Sequence, residues 1–261
     1  MAQAGAAGTS SSGQKALRST DSPWDWLGEA VGIYRRQFLI SLGYGLLFVA
    51  IGYGLFGVLA ASGLASVIPI AIGAFALVGP LMATGLYAVA RADDEGRRAT
   101  IRETLLPRAA SPTQIAYLGV ILLVAVLFWT IIAAALFAIF HASGLSSLSE
   151  FAAFALTTPR GIAMLAIGSI LGGLMAFGIF AMTAFSIPML MDRHVDFATA
   201  IGASIEAVKR HPRTMLLWAW LIALSLFVGA ATFLLGFAVL FPLLGYATWV
   251  GYRSTFGSTG Q

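Results

Sequence analysis

Residues 37–90 read Q-F-L-I-S-L-G-Y-G-L-L-F-V-A-I-G-Y-G-L-F-G-V-L-A-A-S-G-L-A-S-V-I-P-I-A-I-G-A-F-A-L-V-G-P-L-M-A-T-G-L-Y-A-V-A, without one Asp, Glu, Lys or Arg. A helix needs about 20 apolar residues to cross a hydrocarbon core of roughly 30 Å. This stretch is too long for one crossing and must fold back on itself. Ser62-Gly63, with Pro69 beyond, supplies the break. Three more blocks, 109–149, 161–191 and 214–252, are equally free of charge. A charged side chain at the bilayer centre costs several kcal/mol, roughly 2.5–3.5 on insertion scales. Segregation of this kind therefore predicts an all-α membrane protein.

The block lengths resolve into six transmembrane helices, about 38–60, 67–90, 115–140, 161–186, 214–231 and 233–252. The last block is a hairpin turning near Gly229 to Thr232, and its first arm is short for a span. The spans form one domain, 21–254, between a disordered cytoplasmic tail at 1–20 and a short cytoplasmic tail at 255–261. The first tail is Ala, Gly, Ser, Gln and Thr with two bases, too polar to fold. No apolar region precedes Phe38, so a cleaved signal peptide is not expected.

Composition agrees. The chain is 59% hydrophobic and 10% charged, with mean hydropathy +0.89, outside the range of soluble domains. It has no cysteine, which removes disulfides, thiolate nucleophiles and Cys-ligated metals. With six spans, fourteen of the fifteen Lys and Arg residues fall on one face and only Arg160 on the other. The positive-inside rule then places both termini in the cytoplasm of a bacterial inner membrane. The net charge of +4 reads as attraction to anionic headgroups rather than to nucleic acid.

Two cytoplasmic segments read as amphipathic helices. Residues 22–36 open on Ser22 as N-cap, Pro23 at N1 and Asp25 in a capping-box pattern, with Trp24, Leu27, Val31 and Tyr34 as apolar stripe. Residues 196–210 open on Asp196, carry Phe197, Ile201, Ile205 and Val208 on one face, and pair Glu206 with Arg210. His211-Pro212 stops the second helix. Both are expected at the inner interface. Trp24, Trp26, Trp218, Trp220 and Trp249 fit an aromatic belt there, while Trp129, deep in the third span, is expected between helices.

An internal repeat is visible. Residues 75–91 (F-A-L-V-G-P-L-M-A-T-G-L-Y-A-V-A-R) align without a gap on 237–253 (F-A-V-L-F-P-L-L-G-Y-A-T-W-V-G-Y-R). Pro80 matches Pro242, Tyr87 faces Trp249 and Arg91 matches Arg253. Each unit is an amphipathic cytoplasmic helix followed by a membrane hairpin. Two parallel repeats thus flank a middle helix pair. Pro80, Pro242 and Pro188 each remove a backbone donor, and packing kinks are favoured over a ligand site. Gly168-x-x-x-Gly172 in the fourth span is a small-residue stripe that lets helices approach, within this chain rather than toward a partner.

The expected spans hold no Asp, Glu, Lys, Arg or His. Ion-coupled transporters keep such a group near the midplane, so ion coupling is disfavoured. Asp192-Arg193-His194-x-Asp196 is the densest polar cluster. It reads as a helix cap at Asp196 and a headgroup grip at Arg193, not as a metal site. Asp93-Asp94-Glu95-Gly96 reads as a solvated turn, and His141 with Ser143 as interfacial. No catalytic residue, metal site or cofactor is expected, and the chain is not expected to be an enzyme.

The stretches 186–196 (S-I-P-M-L-M-D-R-H-V-D), 215–218 (M-L-L-W) and 241–249 (F-P-L-L-G-Y-A-T-W), with Gly79-Pro80 through Arg91, resemble an uncharacterised family of bacterial multi-pass integral membrane proteins. The family is known as a domain of unknown function, and some members carry a cytochrome c oxidase subunit label. The resemblance covers about 24–253. The family pattern often has His where this chain has Tyr246 and Val250, and Asn-Pro where it has His211-Pro212, so a histidine-based site in the last span is not implied here. The resemblance implies an accessory or assembly subunit of a larger membrane complex, such as a respiratory oxidase, with partner membrane subunits. The alternative is a permease or lipid-handling protein for uncharged or amphipathic molecules.

Overall fold

A computed structural model describes residues 22–64, 67–140 and 148–257. The tail expected at 1–20, and His141 with Ser143, lie outside them. Among the described residues the regular structure is entirely helical. The opening stretch becomes α2 (Phe38–Ala61), a turn at 62–64, then α3 (Ile68–Met82) and α4 (Thr84–Asp94). Gly63 takes the left-handed conformation at φ 73°, which a residue with a Cβ adopts at a cost. Before them runs α1 (Pro23–Arg36), and after them the short α5 (Ile101–Leu105). The chain continues through α6 (Pro112–Phe140), α7 (Leu148–Thr157), α8 (Pro159–Thr183) and α9 (Ser186–Asp192). It closes with α10 (Phe197–Arg210), α11 (Pro212–Ala231) and α12 (Phe237–Phe256).

Five segments among the described residues are long and apolar enough to cross a membrane: Phe38–Ala61, Ile70–Asp94, Pro112–Phe140, Pro159–Asp192 and Pro212–Ala231. The sixth expected span coincides with α12, which is not among them. Its second half is built largely of Gly, Tyr, Thr, Trp and Arg rather than of aliphatic residues. Twelve of its 20 residues are nevertheless buried, because it forms the axis of the bundle. Helices α1 and α2 lie along it, with α4, α9 and α11 beside it. At Gly45 of α2, an added Cβ would stand 2.0 Å from the Ala238 carbonyl oxygen of α12. One turn on, Phe48 stacks on Phe241 at 3.9 Å and touches Phe237 and Phe75 at 5.6 and 4.8 Å.

The local signals at helix ends hold. Ser22 and Asp25 make the complete capping box of α1, a device worth about 1 kcal/mol. Asp196 caps α10, Glu206 pairs with Arg210 at 2.8 Å, and α10 stops at Arg210 before Pro212 opens α11. The short helices α5 and α7 lie in stretches read from sequence only as connections. For α5 a Thr100–Glu103 capping box was available as the signal.

The faces of the amphipathic helices differ from the expectation. In α1 the core takes Trp26, Ala30 and Ile33 together with Tyr34 of the expected stripe, and Leu27 packs against it, while Trp24 and Val31 point outward. The apolar surface on α1 is wide enough for two faces, and the side chains that fit the narrow gap against α12 win the inner one. Trp26 lies over Gly251, where a Cβ would meet its ring at 2.8 Å. In α10 the most buried line is Ala200, Ser204 and Ala207, with only Val208 from the expected stripe fully inside. Likewise only Trp24 and Trp220 are exposed as a belt requires. Trp26, Trp218 and Trp249 are core residues.

The prolines act differently from one another. Pro188 cannot donate to the Ala184 carbonyl, and the α8–α9 break falls there. Ser204 of α10 fills the break, accepting from the Phe185 amide at 3.1 Å and donating to the Ala181 carbonyl at 2.8 Å. Pro80 lies just before the α3–α4 break at Ala83, where the Tyr44 hydroxyl donates to the Met82 carbonyl at 2.7 Å. Pro242 sits inside an unbroken α12.

Candidate functional site

The walls of α3, α6 and α8 part to leave a cavity of about 680 Å³. Its size lies in the range of small-molecule and lipid-chain sites. Trp129 of α6 sets the separation. Its indole N–H donates to the Ile70 carbonyl at 3.2 Å, and its ring wedges between Gly73 of α3 and Gly172 of α8. A Cβ on Gly73 would lie 2.6 Å from that ring and one on Gly172 at 3.0 Å. Below it Leu77, Leu122 and Ile179 pack into a closed floor. At the other end Phe137, Phe151 of α7 and Met164 line the mouth.

The lining is almost wholly hydrocarbon and aromatic, with Ser169 its one hydroxyl side chain. Leu165 and Ser169 line the cavity and are exposed, so it opens along the face of α8. From Met164 to Ala176 the α8 wall runs roughly 18 Å, and from Val67 to Leu77 the α3 wall roughly 15 Å, at 1.5 Å per residue. Such a cleft offers contact and few hydrogen bonds. It suits an apolar chain.

The opposite end of the bundle is polar and tightly tied. Asp93, its side chain only 8% exposed, takes a two-pronged interaction from Arg36 at 2.7–3.1 Å. That hydrogen bond first, then the carboxylate's charge, raises the Arg36 pKa above its ordinary value. Gln37 bridges Asp93 to the Arg97 carbonyl and the Ala99 amide. Asp94 accepts from the Trp249 indole at 2.8 Å and pairs with Arg253. The expected solvated turn is therefore corrected at Asp93, whose side chain is buried. Asp93 and Asp94 close the last turn of α4, and Asp94, its carboxylate tied to Trp249 and Arg253, stays exposed with Glu95 and Gly96. Two oppositely charged neighbours, distant in sequence, hold these carboxylates.

The other candidate residues gather around the same end. Arg91 donates to the Met191 and Arg108 carbonyls at 3.0 and 2.8 Å. Asp192 accepts from the Tyr252 hydroxyl at 2.8 Å. Arg193 donates to the Phe256 and Gly257 carbonyls at 2.9 and 3.0 Å, capping the C-terminus of α12. Tyr87 stacks on Trp249 with centroids 6.2 Å apart. Arg91, Asp192, Arg193, Trp249 and Arg253 thus join into one web that fastens α4, α9 and α12. Asp196 stands apart as the α10 cap, its pKa held below the ordinary value by the Thr199 hydroxyl and amide.

Residues 67–192 match the family described as predicted integral membrane protein (DUF2189). That match agrees with the uncharacterised multi-pass membrane family expected from the motifs, over a shorter stretch than the expected 24–253. Nothing in the match carries the cytochrome c oxidase label. No curated protein and no solved structure matches the chain. All of the cavity lining, Val67 through Ala176, falls inside the DUF2189 segment, whereas α12 and its repeat motif fall outside.

The structure sorts the sequence candidates into two groups. Gly168 and Gly172 line the cavity, Gly172 against Trp129 and Gly168 beside Leu136 at 3.7 Å. Pro80, Pro188 and Pro242 shape helices, and the charged candidates tie them. The cavity itself was not legible from the motifs. Its walls are the same aliphatic residues that any span carries. The available signals were Trp129 in mid-span and the glycines Gly73 and Gly172 that face it, with Gly168 and Gly173 beside them on α8.

Proposed function

We propose that the chain is a non-catalytic, lipid-handling membrane protein that takes up an apolar chain between α3, α6 and α8. The observation that carries this reading is the 680 Å³ cavity with its hydrocarbon lining. A bundle that served only to pack would close such a space, because unfilled walls give up dispersion contacts on every side. The polar side chains described at the other end hold helices together, which leaves them poorly placed for turnover. Absence of titratable groups from the expected spans supports handling of apolar matter without ion coupling.

The reading includes α12 as a sixth span. Its 20 residues cover roughly 30 Å, enough to cross, and its central position shields its polar half from lipid. Parallel repeats are supported by contacts between matched positions. Tyr87 stacks on its counterpart Trp249, and Phe48 touches both members of the Phe75–Phe237 pair. Side chains near a local twofold axis meet their equivalents in this way. With six spans both termini share the basic face, which the positive-inside rule assigns to the cytoplasm.

Purification from native membranes in mild detergent, followed by intact mass spectrometry, tests the function. Retained lipid-sized adducts on the single chain are expected. Stoichiometric companion subunits with no lipid adduct would overturn the reading in favour of an accessory or assembly subunit. For topology, a reporter after Gln261 is expected in the cytoplasm and one at Ser146 on the far side; the reverse pattern refutes the orientation.

A further inference from the structure

The cavity has a charged residue aligned with its mouth. Arg160, Met164, Gly168, Gly172 and Ala176 lie four residues apart on α8. Residues at this spacing share one face of a helix. The last four line the cavity, so Arg160 stands on the same row, one turn beyond the mouth. It is exposed, and among the described residues it forms no ion pair. It is also the only Lys or Arg between Arg108 and Arg193. Every base on the opposite face is far from this row along the helices.

Length adds a second constraint. The walls run roughly 15–18 Å along α3 and α8, and half of a hydrocarbon core of about 30 Å is also about 15 Å. A chain lying in the cavity with its head beside Arg160 would reach the Leu77–Ile179 floor and stop there. We infer that the occupant is an anionic phospholipid of the leaflet on the Arg160 side, with one acyl chain in the cavity and its phosphate held by Arg160.

The guanidinium suits this role. It presents donors in a planar fork that matches phosphate oxygens, and it sits in the first turn of α8, where the helix dipole favours an anion. The Thr158 hydroxyl already accepts from the Gly161 amide at 3.0 Å. Recognition thus rests on the Arg160 side chain rather than on free amides of the helix end. Phe151 of α7 lies at the mouth beside the chain, and α7 packs closely on α8, with the Phe154 carbonyl over Gly161. The second acyl chain remains in the bilayer, reached through the opening beside Leu165 and Ser169.

This inference rests on the apolar-chain reading, and two variants separate their failures. The protein is reconstituted in nanodiscs of equal phosphatidylglycerol and phosphatidylethanolamine, released into mild detergent, and its retained lipids are counted by native mass spectrometry. Wild type is expected to retain about one phospholipid, enriched in phosphatidylglycerol. Gly168→Phe, at a position where a Cβ would meet only Leu136 in ordinary contact at 3.7 Å, fills the cavity and is expected to abolish retention. Ala133→Leu, on the α6 wall, repeats that test should the first variant fold poorly.

Arg160→Gln is expected to keep retention but lower the phosphatidylglycerol preference about fivefold, the effect of one base near anionic headgroups. Unchanged retention in both cavity-filling variants overturns the apolar-chain reading and this inference with it. Loss of retention there with no change of preference in Arg160→Gln overturns the headgroup assignment alone. Retention of a free fatty acid instead of phospholipid overturns the phospholipid assignment.

Discussion

Replacing Gly45 by Ala tests the contact on which the bundle axis depends. The added Cβ would lie 2.0, 2.6 and 2.8 Å from the oxygen, carbon and Cα of Ala238. All three are backbone atoms, so no change of rotamer relieves the clash. Restoring an ordinary separation of about 3.5 Å moves α2 and α12 apart by roughly 1.5 Å. Overpacking of this kind costs about 1–3 kcal/mol. The shift also loosens Phe48 from Phe237 and Phe241, aromatic contacts worth about 0.5–1.5 kcal/mol each. A loss of about 2–6 kcal/mol follows from these two terms. The assay is thermal unfolding in a single detergent, followed by tryptophan fluorescence. Gly54→Ala is the control, since nothing lies within 4 Å of its Cβ on the same helix, and Ala gains up to about 1 kcal/mol over Gly in a helix interior. Equal stability of the two variants would refute the close α2–α12 packing.

Three further outcomes follow from the same geometry. Asp94→Asn should destabilise the fold by about 1–3 kcal/mol, because it removes the charge facing Arg253 at a half-buried site. A double-mutant cycle with Arg253→Ala measures the coupling, and additive effects would contradict the pairing. Ser204→Ala leaves the Phe185 amide and Ala181 carbonyl unpartnered at the α8–α9 break, for a loss of about 1–3 kcal/mol in the same unfolding assay. The pKa of Asp196 is lowered on folding, so its cap stabilises α10 fully above the ordinary value of 3.8 and loses that contribution as pH falls below it. Protection of the Thr199 amide from hydrogen exchange, relative to its intrinsic rate at each pH, should fall in that acidic window and stay flat in Asp196→Asn.

The sequence made the helices legible because solvent does the selecting. Lipid excludes charge, so the empty blocks locate α2, α3, α6, α8 and α11, although the second expected span breaks into α3 and α4, and short-range chemistry marks helix ends at Ser22, Gly63, Asp196 and Pro212. Burial within the bundle was far less legible. Lipid and protein interior are equally apolar, so periodicity cannot tell the face of α1 that meets α12 from the face that meets headgroups. Trp26 and Trp24 exchange roles for that reason. The pairing of Asp94 with Trp249 spans 155 positions, a distance over which no local pattern speaks. The cavity is harder still, since a gap leaves no residue type as its mark.

Photo-crosslinking from inside the cavity tests the central claim most directly. With p-benzoylphenylalanine in place of Phe137 on the α6 wall, where an aromatic ring already stands, irradiation in native membranes and mass analysis of the digested protein identify what touches that wall. The account predicts adducts on phospholipid acyl chains, lost when Gly168→Phe fills the space. Crosslinks only to residues of α3 and α8 would mean that the walls close on each other and that no lipid chain enters.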